Sequence, residues 1–388
     1  MSARQAPTYL DHNATTPADP RVVEAMLPFF TSTFGNPSSV EHIHGHAAQT
    51  AVGDARAKVA RALGARDNEV VFTGSCTEAN NIAILGAARA QPDRRHVVTT
   101  AVEHPAVLEP MRQLAREGYE LTVIGVDRFG QVDPGAVAAA LRDDTLLVSV
   151  MGANNEVGTT QPLAPIGAEC ERRGVLLHSD LAQVMAHGPF DVGASNVHLA
   201  SVSGHKAYGP KGVGALYARS RGPRARLAPV LFGGGQERGL RSGTLNVPLI
   251  VGMAEALAIS SKEGRADDHR LAGMCRTFAA RVMSALDGVE LNGHPTDRIA
   301  GNCSLSIAGV EPLALMHNLR EVASFSASSA CATDKVETSH VLLAMFGDTP
   351  RARQAFRVSP GRFTTEQEME RFTDALIGAV GELRRFAA

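Results

Sequence analysis

Lysine, tryptophan and long apolar runs are the scarcest features of this sequence. Its 388 residues include no tryptophan, and only five of the 38 basic residues are lysines. Any chemistry that needs a lysine amine therefore has five candidates, which are Lys58, Lys206, Lys211, Lys262 and Lys335. No apolar run approaches the ~20 residues of a membrane span, and the first residues lack the apolar core of a signal peptide. We therefore expect no membrane partner.

Cysteine and excess charge are scarce as well. The five cysteines are scattered along the chain without a CxxC pair, which argues against a zinc knuckle or a thioredoxin-like motif. Unpaired thiols in a chain without a targeting segment fit the reducing cytoplasm. The formal net charge is only −2, so the surface has no general attraction for nucleic-acid phosphates. We expect a cytoplasmic protein that does not bind nucleic acid directly.

Short apolar runs alternate with helical stretches over the first two thirds of the chain. The apolar runs cover residues 69–73, 96–100, 120–126, 145–151, 174–180, 198–204 and 212–218. Several of them lack strict polar alternation, as strands covered on both faces do. Helical patterns at 77–90 and 106–118 lie between them, and another at 46–64 precedes the first run. This order predicts an α/β fold with a mostly parallel sheet and helices on both faces.

The pattern changes near residue 251, where a long helical segment (251–287) begins. Short strands, a helix near 311–320 and a final helix at 365–387 follow it. The chain's 388 residues exceed the ~100–200 that are typical of one domain, so we expect two domains. We place a large domain at 15–260, and a smaller α+β C-terminal domain at 1–14 and 261–388.

Polar residues follow four of the predicted strands. Asp180 ends one apolar run, and the sequence SGHK at 203–206 follows another. Asn155 lies just past a third run, and a fourth turns into a helix at 74–77. Ligands of open α/β sheets bind outside the carboxyl ends of the strands. We therefore expect these four strand ends to share one cleft.

Three of these features match the needs of a pyridoxal 5'-phosphate (PLP) site. This cofactor needs a lysine for its Schiff base and an acid that keeps its pyridine nitrogen protonated, and Lys206 and Asp180 would supply them. A helix N-terminus with free N–H groups suits the phosphate, and the turn at 74–77 would provide one. Each feature alone has an ordinary explanation, because an Asp after a strand is usually a cap. The combination indicates a PLP site.

Eleven segments in a fixed order strengthen this interpretation. They are YLDHNATTP (9–17), FGNPSSVEHIHG (34–45), FTGSCTEANN (72–81), EHPAVL (103–108), NNEVGTTQP (154–162), HSDLAQ (178–183), SGHKAYGPKGVGALY (203–217), GGGQERGLRSGTLN (233–246), SSAC (328–331), SHVLLAM (339–345) and FRVSPGRFTTEQE (356–368). In this order the chain resembles the cysteine desulfurases of the class V aminotransferase family, which are fold-type I PLP-dependent transferases. The resemblance covers nearly the whole chain.

The resemblance implies a role for individual residues around the cofactor. Lys206 would carry the cofactor, Asp180 would pair with the pyridine nitrogen, and His104 would stack on the ring and act as acid and base. The remaining cofactor-binding residues that the resemblance implies are Cys76, Thr77, Gln183, Ser203, His205 and, from the other subunit of a homodimer, Thr244.

The resemblance also implies the substrate-binding and sulfur-carrying residues. Asn155 and Arg357 would bind the carboxylate of L-cysteine, and a planar, permanently charged guanidinium suits that task. Cys331 would be the catalytic thiol, which must ionise to attack sulfur. The small residues around Cys331 predict that it rests beyond the ~3–3.5 Å of an attack distance and moves before sulfur transfer.

The chain departs from the family pattern at three places. FTGSCTE stands where the family usually has FTSGATE, which puts Cys76 in place of an alanine. Ala327 replaces a glycine near the catalytic cysteine, and Thr338 replaces a proline before SHVL.

His42, His44 and His46 suggest a metal site, but a helix expected to begin near Gly45 would break their shared face. We expect no metal site.

The reaction implied by the resemblance is the removal of sulfur from L-cysteine. The products would be L-alanine and a persulfide on Cys331, and a sulfur-acceptor protein would then take the sulfur. The acceptor could serve iron–sulfur assembly, tRNA thiolation or DNA phosphorothioation. One alternative is a selenocysteine lyase or another class V aminotransferase, for which transamination would not need Cys331. The other is a non-enzymatic sulfur-carrier scaffold.

Overall fold

The computed structural model describes residues 6–327 and 338–387. Within them the strands form sheets of seven, four and two strands. The strands are β1 (Thr8–Tyr9), β2 (Val70–Thr73), β3 (His96–Thr100), β4 (Glu120–Ile124), β5 (Thr145–Ser149), β6 (Leu176–Asp180), β7 (Leu199–Ser203), β8 (Gly214–Ala218), β9 (Val289–Asn292), β10 (Cys303–Ile307), β11 (Ala323–Ser324), β12 (Ser326–Ala327) and β13 (Ala355–Val358). The helices are α1 (Pro20–Met26), α2 (Pro28–Thr31), α3 (Ile43–Ala62), α4 (Cys76–Ala90), α5 (Pro105–Arg116), α6 (Pro134–Ala140), α7 (Leu163–Arg173), α8 (Val247–Ala285), α9 (Pro312–Leu319), α10 (His340–Phe346), α11 (Pro350–Arg353) and α12 (Glu366–Ala387).

The seven-stranded sheet confirms the predicted mostly parallel arrangement. Its order is β2-β8-β7-β6-β5-β3-β4, and only β8 runs antiparallel to its neighbours. Since β8 is antiparallel to both β2 and β7, those two strands point the same way as β3, β5 and β6. The carboxyl ends of these five strands therefore lie along one edge of the sheet.

Helices cover both faces of this sheet, as the sequence predicts. Every residue of β2, β3, β5, β6 and β7 is buried. Alternate strand residues belong to two different apolar cores: Val98 packs with α3 and α8, whereas Val97 packs with α4 and α5. This double burial explains why these strands lack polar alternation in the sequence.

The C-terminal part of the chain has a second core around a smaller sheet. This sheet is antiparallel, with the strand order β12-β13-β10-β9. It packs against α12 and the second half of α8, and Phe278, Phe356 and Phe372 are part of the core between them. The segment β1 joins this part by pairing with β11. The 39-residue helix α8 contributes to both cores, so the predicted boundary at 260/261 falls inside a continuous helix. The exact division into domains stays a prediction.

The helix α3 differs from its predicted position by a few residues. It begins at Ile43, because the imidazole of His42 caps it by accepting a hydrogen bond from the Gly45 N–H at 3.1 Å. In residues 6–327 and 338–387 no helix combines the length and apolarity needed to cross a bilayer.

Candidate active site

The turn between β2 and α4 is held close to the edge of the sheet. Ser75 caps α4, and its Oγ accepts a hydrogen bond from the Glu78 N–H at 3.1 Å. Gly214 on β8 permits the approach, since a Cβ there would lie 2.5 Å from Ser75 C and 2.8 Å from Cys76 N. The partner of Gly214 on β7 is Ser203, which therefore ends beside this turn. The first N–H groups of α4 have no acceptor within the helix, so the turn can bind an anion.

Asp180 ends β6 with its carboxylate buried and held by three donors. Its Oδ2 accepts from Asn80 Nδ2 at 2.8 Å, and its Oδ1 accepts from the Ala182 N–H at 2.9 Å and from Cys76 Sγ at 3.4 Å. Asn80 and Cys76 lie four residues apart on α4 and so share one face. Burial and the Asp180 charge raise the pKa of Cys76 well above its usual value, so this thiol keeps the proton that it donates.

Lys206 follows β7 with its amine largely buried. Burial and the positive charge of Arg357 lower its pKa from 10.5 to about 8, although the Asp180 carboxylate opposes this shift. Its Nζ donates to the Asn13 carbonyl oxygen at 2.5 Å. A substantial fraction of this amine is therefore neutral near physiological pH, unlike an ordinary solvated lysine.

Asn13 is a contact that the sequence analysis missed. Its carbonyl oxygen also accepts from Gln183 Nε2 at 2.8 Å, and its Nδ2 donates to Gln183 Oε1 at 3.2 Å. Its Oδ1 accepts from Asn302 Nδ2 at 2.9 Å. Asn13 thus joins Lys206 and Gln183 on the large sheet to the loop before β10. Its only sequence signal is that it lies in the motif YLDHNATTP.

The two histidines of the predicted site are both disposed to be neutral. His104 caps α5, and its Nδ1 accepts from the Ala106 N–H at 3.1 Å, so the neutral ring carries its proton on Nε2. Desolvation, with a further contribution from Lys206, lowers the pKa of His104. Burial and then Lys206 lower the pKa of His205 to about 4, and its Nδ1 lies 3.0 Å from Thr15 Oγ1.

Arg357 lies on β13 with its guanidinium buried. Its Nη1 donates to the Asn155 carbonyl oxygen at 2.7 Å, and its Nη2 donates to Asp11 Oδ1 at 2.5 Å. Its Nε is buried and has no hydrogen-bond partner within residues 6–327 and 338–387. The structure thus brings Arg357 and Asn155 together through the backbone of Asn155, and it adds Asp11, which the sequence analysis missed.

Glu103 is a second buried carboxyl that the sequence analysis did not single out. Burial raises its pKa to about 8, although a 2.6 Å hydrogen bond from the Met151 N–H opposes the shift. The backbone carbonyl oxygen of Glu103 accepts a hydrogen bond from His340 Nε2 at 2.8 Å. Glu103 therefore ties the loop that carries His104 to the loop after β5 and to α10.

The remaining predicted residues lie at the periphery or outside the described ranges. Thr77 is exposed and lines, with His104, an open cavity of about 470 Å³. Thr244 is exposed on a segment whose Arg241 donates to Glu78 Oε1 at 2.6 Å. Cys331 and its predicted resting distance lie outside the described residues. Within those residues no group of three or more His, Cys, Asp or Glu side chains could hold a metal ion.

This chain is similar to named proteins along almost its whole length. A family model described as aminotransferase class-V matches residues 8–372. The chain is 44% identical over 379 residues to a cysteine desulfurase IscS of Rickettsia bellii, which covers 97% of this chain and 92% of the relative. A solved NifS-like protein has a TM-score of 0.89 at 34% identity, covering 97% of this chain and 100% of that one. The crystal structure of DndA from Streptomyces lividans has a TM-score of 0.75 at 38% identity, covering 91% and 99% respectively.

Proposed function

The chain belongs to the aminotransferase class-V family and is a cysteine desulfurase, and from this premise we propose that it binds PLP at the described edge of the sheet and passes sulfur from L-cysteine to an acceptor protein. The observation that carries the proposal is the environment of Lys206. Its buried amine has a pKa of about 8, and the negative charge of Asp180 acts on this pKa. The Asp180 carboxylate is held in place by three hydrogen-bond donors. A lysine with these properties suits covalent attachment of an aldehyde cofactor.

The side chains at this edge fit the proposed cofactor. Asp180 supplies a fixed carboxylate for the pyridine N–H, and Gln183 retains an amide hydrogen beyond its bond to Asn13. The turn at 74–77, with Ser203 and His205, would hold the phosphate. Glu78 beside this turn would repel a phosphate, but Arg241 neutralises it at 2.6 Å.

Lys206 and His104 are proposed to handle protons. When bound, the cofactor withdraws electrons from the substrate's α-carbon and so acidifies its α-proton. The Lys206 Nζ would take that proton, because a base with a pKa of about 8 is well matched to physiological pH. While His104 caps α5, its Nε2–H can only donate. The ring must therefore give up the cap, because only then is Nδ1 free to accept a proton.

Arg357, Asn155 and Cys331 complete the proposed reaction. Arg357 would bind the substrate carboxylate beside Asn155. The Cys331 thiolate would attack the substrate sulfur, forming an S–S bond while the C–S bond breaks, and a proton added to the released carbon fragment would give L-alanine. A thiolate of the acceptor protein would then attack the outer sulfur of this persulfide, forming a new S–S bond while the bond to Cys331 breaks and releases the Cys331 thiolate. The acceptor's pathway, whether iron–sulfur assembly, tRNA thiolation or DNA phosphorothioation, is to be identified by capture of the persulfide-loaded protein.

A homodimer is part of the proposal. Phe34, Ile43 and Phe232 are large apolar side chains that are 67%, 78% and 76% exposed, and their burial against a partner would remove apolar surface from water. Thr244 lies twelve residues beyond Phe232 and is also exposed. We propose that these side chains meet a second copy of the chain and that Thr244 reaches the partner's phosphate site.

Replacement of Lys206 tests the proposed function. Lys206→Ala should lose the visible absorption of the bound cofactor and release no L-alanine from L-cysteine. Lys211→Ala is the matched control, because Lys211 lies five residues away, and it should keep both. Loss of the absorption in the control alone would refute the assignment. A protein that takes up no cofactor at all would favour the carrier scaffold.

A further inference from the structure

A carboxylate of the chain itself already occupies the guanidinium of Arg357. Asp11 Oδ1 accepts from Arg357 Nη2 at 2.5 Å, and the two side chains are only 21% and 7% exposed. The pair lies close to Lys206, whose pKa both charges affect in opposite directions. The Asp11 carboxylate therefore occupies the position at Arg357 where the proposed function places the carboxylate of the substrate.

The backbone fixes this pair in advance. Asp11 forms a parallel bridge with Ser359, two residues beyond Arg357. The His12 N–H donates to the Ser359 carbonyl at 3.1 Å, and the Ser359 N–H donates to the Leu10 carbonyl at 2.7 Å. Because the backbone already holds both residues on adjacent segments, only side-chain rotamer freedom is lost when they meet. The pair therefore forms without a ligand.

The hydrogen-bonding pattern of the guanidinium shows where a second carboxylate would compete. Arg357 has five N–H donors, of which Nη1 binds the Asn155 carbonyl and Nη2 binds Asp11. Nε is buried without a partner among the described residues. A carboxylate that binds in the bidentate manner needs two neighbouring nitrogens. A carboxylate bound across Nε and Nη2 would share Nη2 with Asp11, and two carboxylates at one nitrogen repel.

We propose that Asp11 determines how strongly and how selectively the site binds a carboxylate, by pairing with Arg357 until a substrate carboxylate displaces it. This inference rests on the proposed role of Arg357. A ligand without a carboxylate cannot replace the charge of Asp11 and leaves the pair intact. Asp11 thus weakens the binding of every carboxylate ligand, and only a ligand with a carboxylate can open the pair.

The test is equilibrium binding of 3-mercaptopropionate to the holoenzyme. This compound has the thiol and carboxylate of L-cysteine but no amine, so it cannot displace Lys206 by forming a Schiff base with the cofactor. Asp11→Asn keeps the shape and an oxygen acceptor but removes the charge. We expect the variant to bind 3-mercaptopropionate about tenfold more tightly, which corresponds to ~1.4 kcal/mol. The KM for L-cysteine should fall while kcat does not rise, whereas a merely structural role would raise KM.

The pair between Asp267 and Arg362 offers a closely matched control. Asp267 Oδ2 accepts from Arg362 Nε at 2.8 Å, with side-chain exposures of 22% and 6%. Asp267→Asn removes the same charge at similar burial, and it should leave the affinity unchanged. An equal gain in this control would mean that only the net charge matters, and would overturn the inference. Unchanged or weaker binding by Asp11→Asn would overturn it too.

Failure of the proposed function gives a different result. Arg357→Ala should lose most of the affinity for 3-mercaptopropionate. If it does not, Arg357 is not the carboxylate site and the proposed function is wrong at this point, whatever Asp11→Asn shows. Should Asp11→Asn fold poorly, as judged by its thermal midpoint and cofactor content, Asp11→Ser provides the second variant. The same tighter binding is expected of it.

Discussion

Replacing Glu103 with glutamine should stabilise the protein at alkaline pH, and the gain should grow as the pH rises from ~4.5 to ~8. Burial raises the pKa of this carboxyl from 4.5 to about 8. The folded protein therefore keeps a proton on Glu103 that the unfolded chain loses above pH ~4.5. The folded state binds more protons than the unfolded state between these two values, so the stability falls as the pH rises from ~4.5 to ~8 and then stays level.

The size of this effect follows from the shift in pKa. One pKa unit corresponds to about 1.4 kcal/mol. The full rise would cost the wild type on the order of 5 kcal/mol at pH 9, and little at pH 5. Glutamine is neutral at both pH values and keeps an oxygen that can accept from the Met151 N–H, the bond that Glu103 makes at 2.6 Å. The substitution removes the cost of ionisation without opening a cavity.

Thermal unfolding of wild type and Glu103→Gln at pH 5 and pH 9, at equal cofactor content, measures this difference. We expect similar midpoints at pH 5 and a midpoint several degrees higher for the variant at pH 9. Glu109→Gln is the control, because Glu109 is exposed and its charge is only paired with Arg112 at the surface. A difference between wild type and Glu103→Gln that does not change with pH would refute the reasoning.

Two further predictions concern the cofactor and the sulfur. Asn80→Ala should weaken PLP binding about tenfold, because it leaves the buried Asp180 carboxylate without a 2.8 Å donor. Cys76→Ala should weaken PLP binding much less, since a thiol is a weak donor. Cofactor titration compares the two variants, and equal losses would contradict this ranking. Cys331→Ser should keep PLP and bind L-cysteine, but it should form no persulfide and release no L-alanine. Mass spectrometry after thiol labelling checks this. Either a persulfide on Cys76 or alanine release at the wild-type rate would show that Cys331 is not the cysteine that receives the sulfur.

The homology to cysteine desulfurases was recognisable from the sequence because its signals are local. The order of apolar runs and helical patterns predicts the mostly parallel sheet, and strand ends identify Asp180 and Lys206 as candidates. These features depend on neighbours within a few residues, which the sequence presents directly. The reversal of β8 was not predicted, because strand direction depends on pairing with β2 and β7 rather than on the composition of the strand.

The contacts that tune the site were decided only by the tertiary structure. Asp11 and Arg357 are 346 residues apart in the chain, and Asn13 and Lys206 are 193 apart. No periodicity links such positions, because their contacts arise when β1 pairs with β11 and the loop after β1 contacts Lys206 at the edge of the seven-stranded sheet. Burial is equally non-local, so the low pKa of Lys206 and the high pKa of Glu103 could not be read from their neighbours in sequence. The sequence by itself determined which chemical groups are present and which strands carry them. The tertiary structure decided which charges meet in the dry interior, where dielectric screening is weak and a single partner sets the properties of a residue.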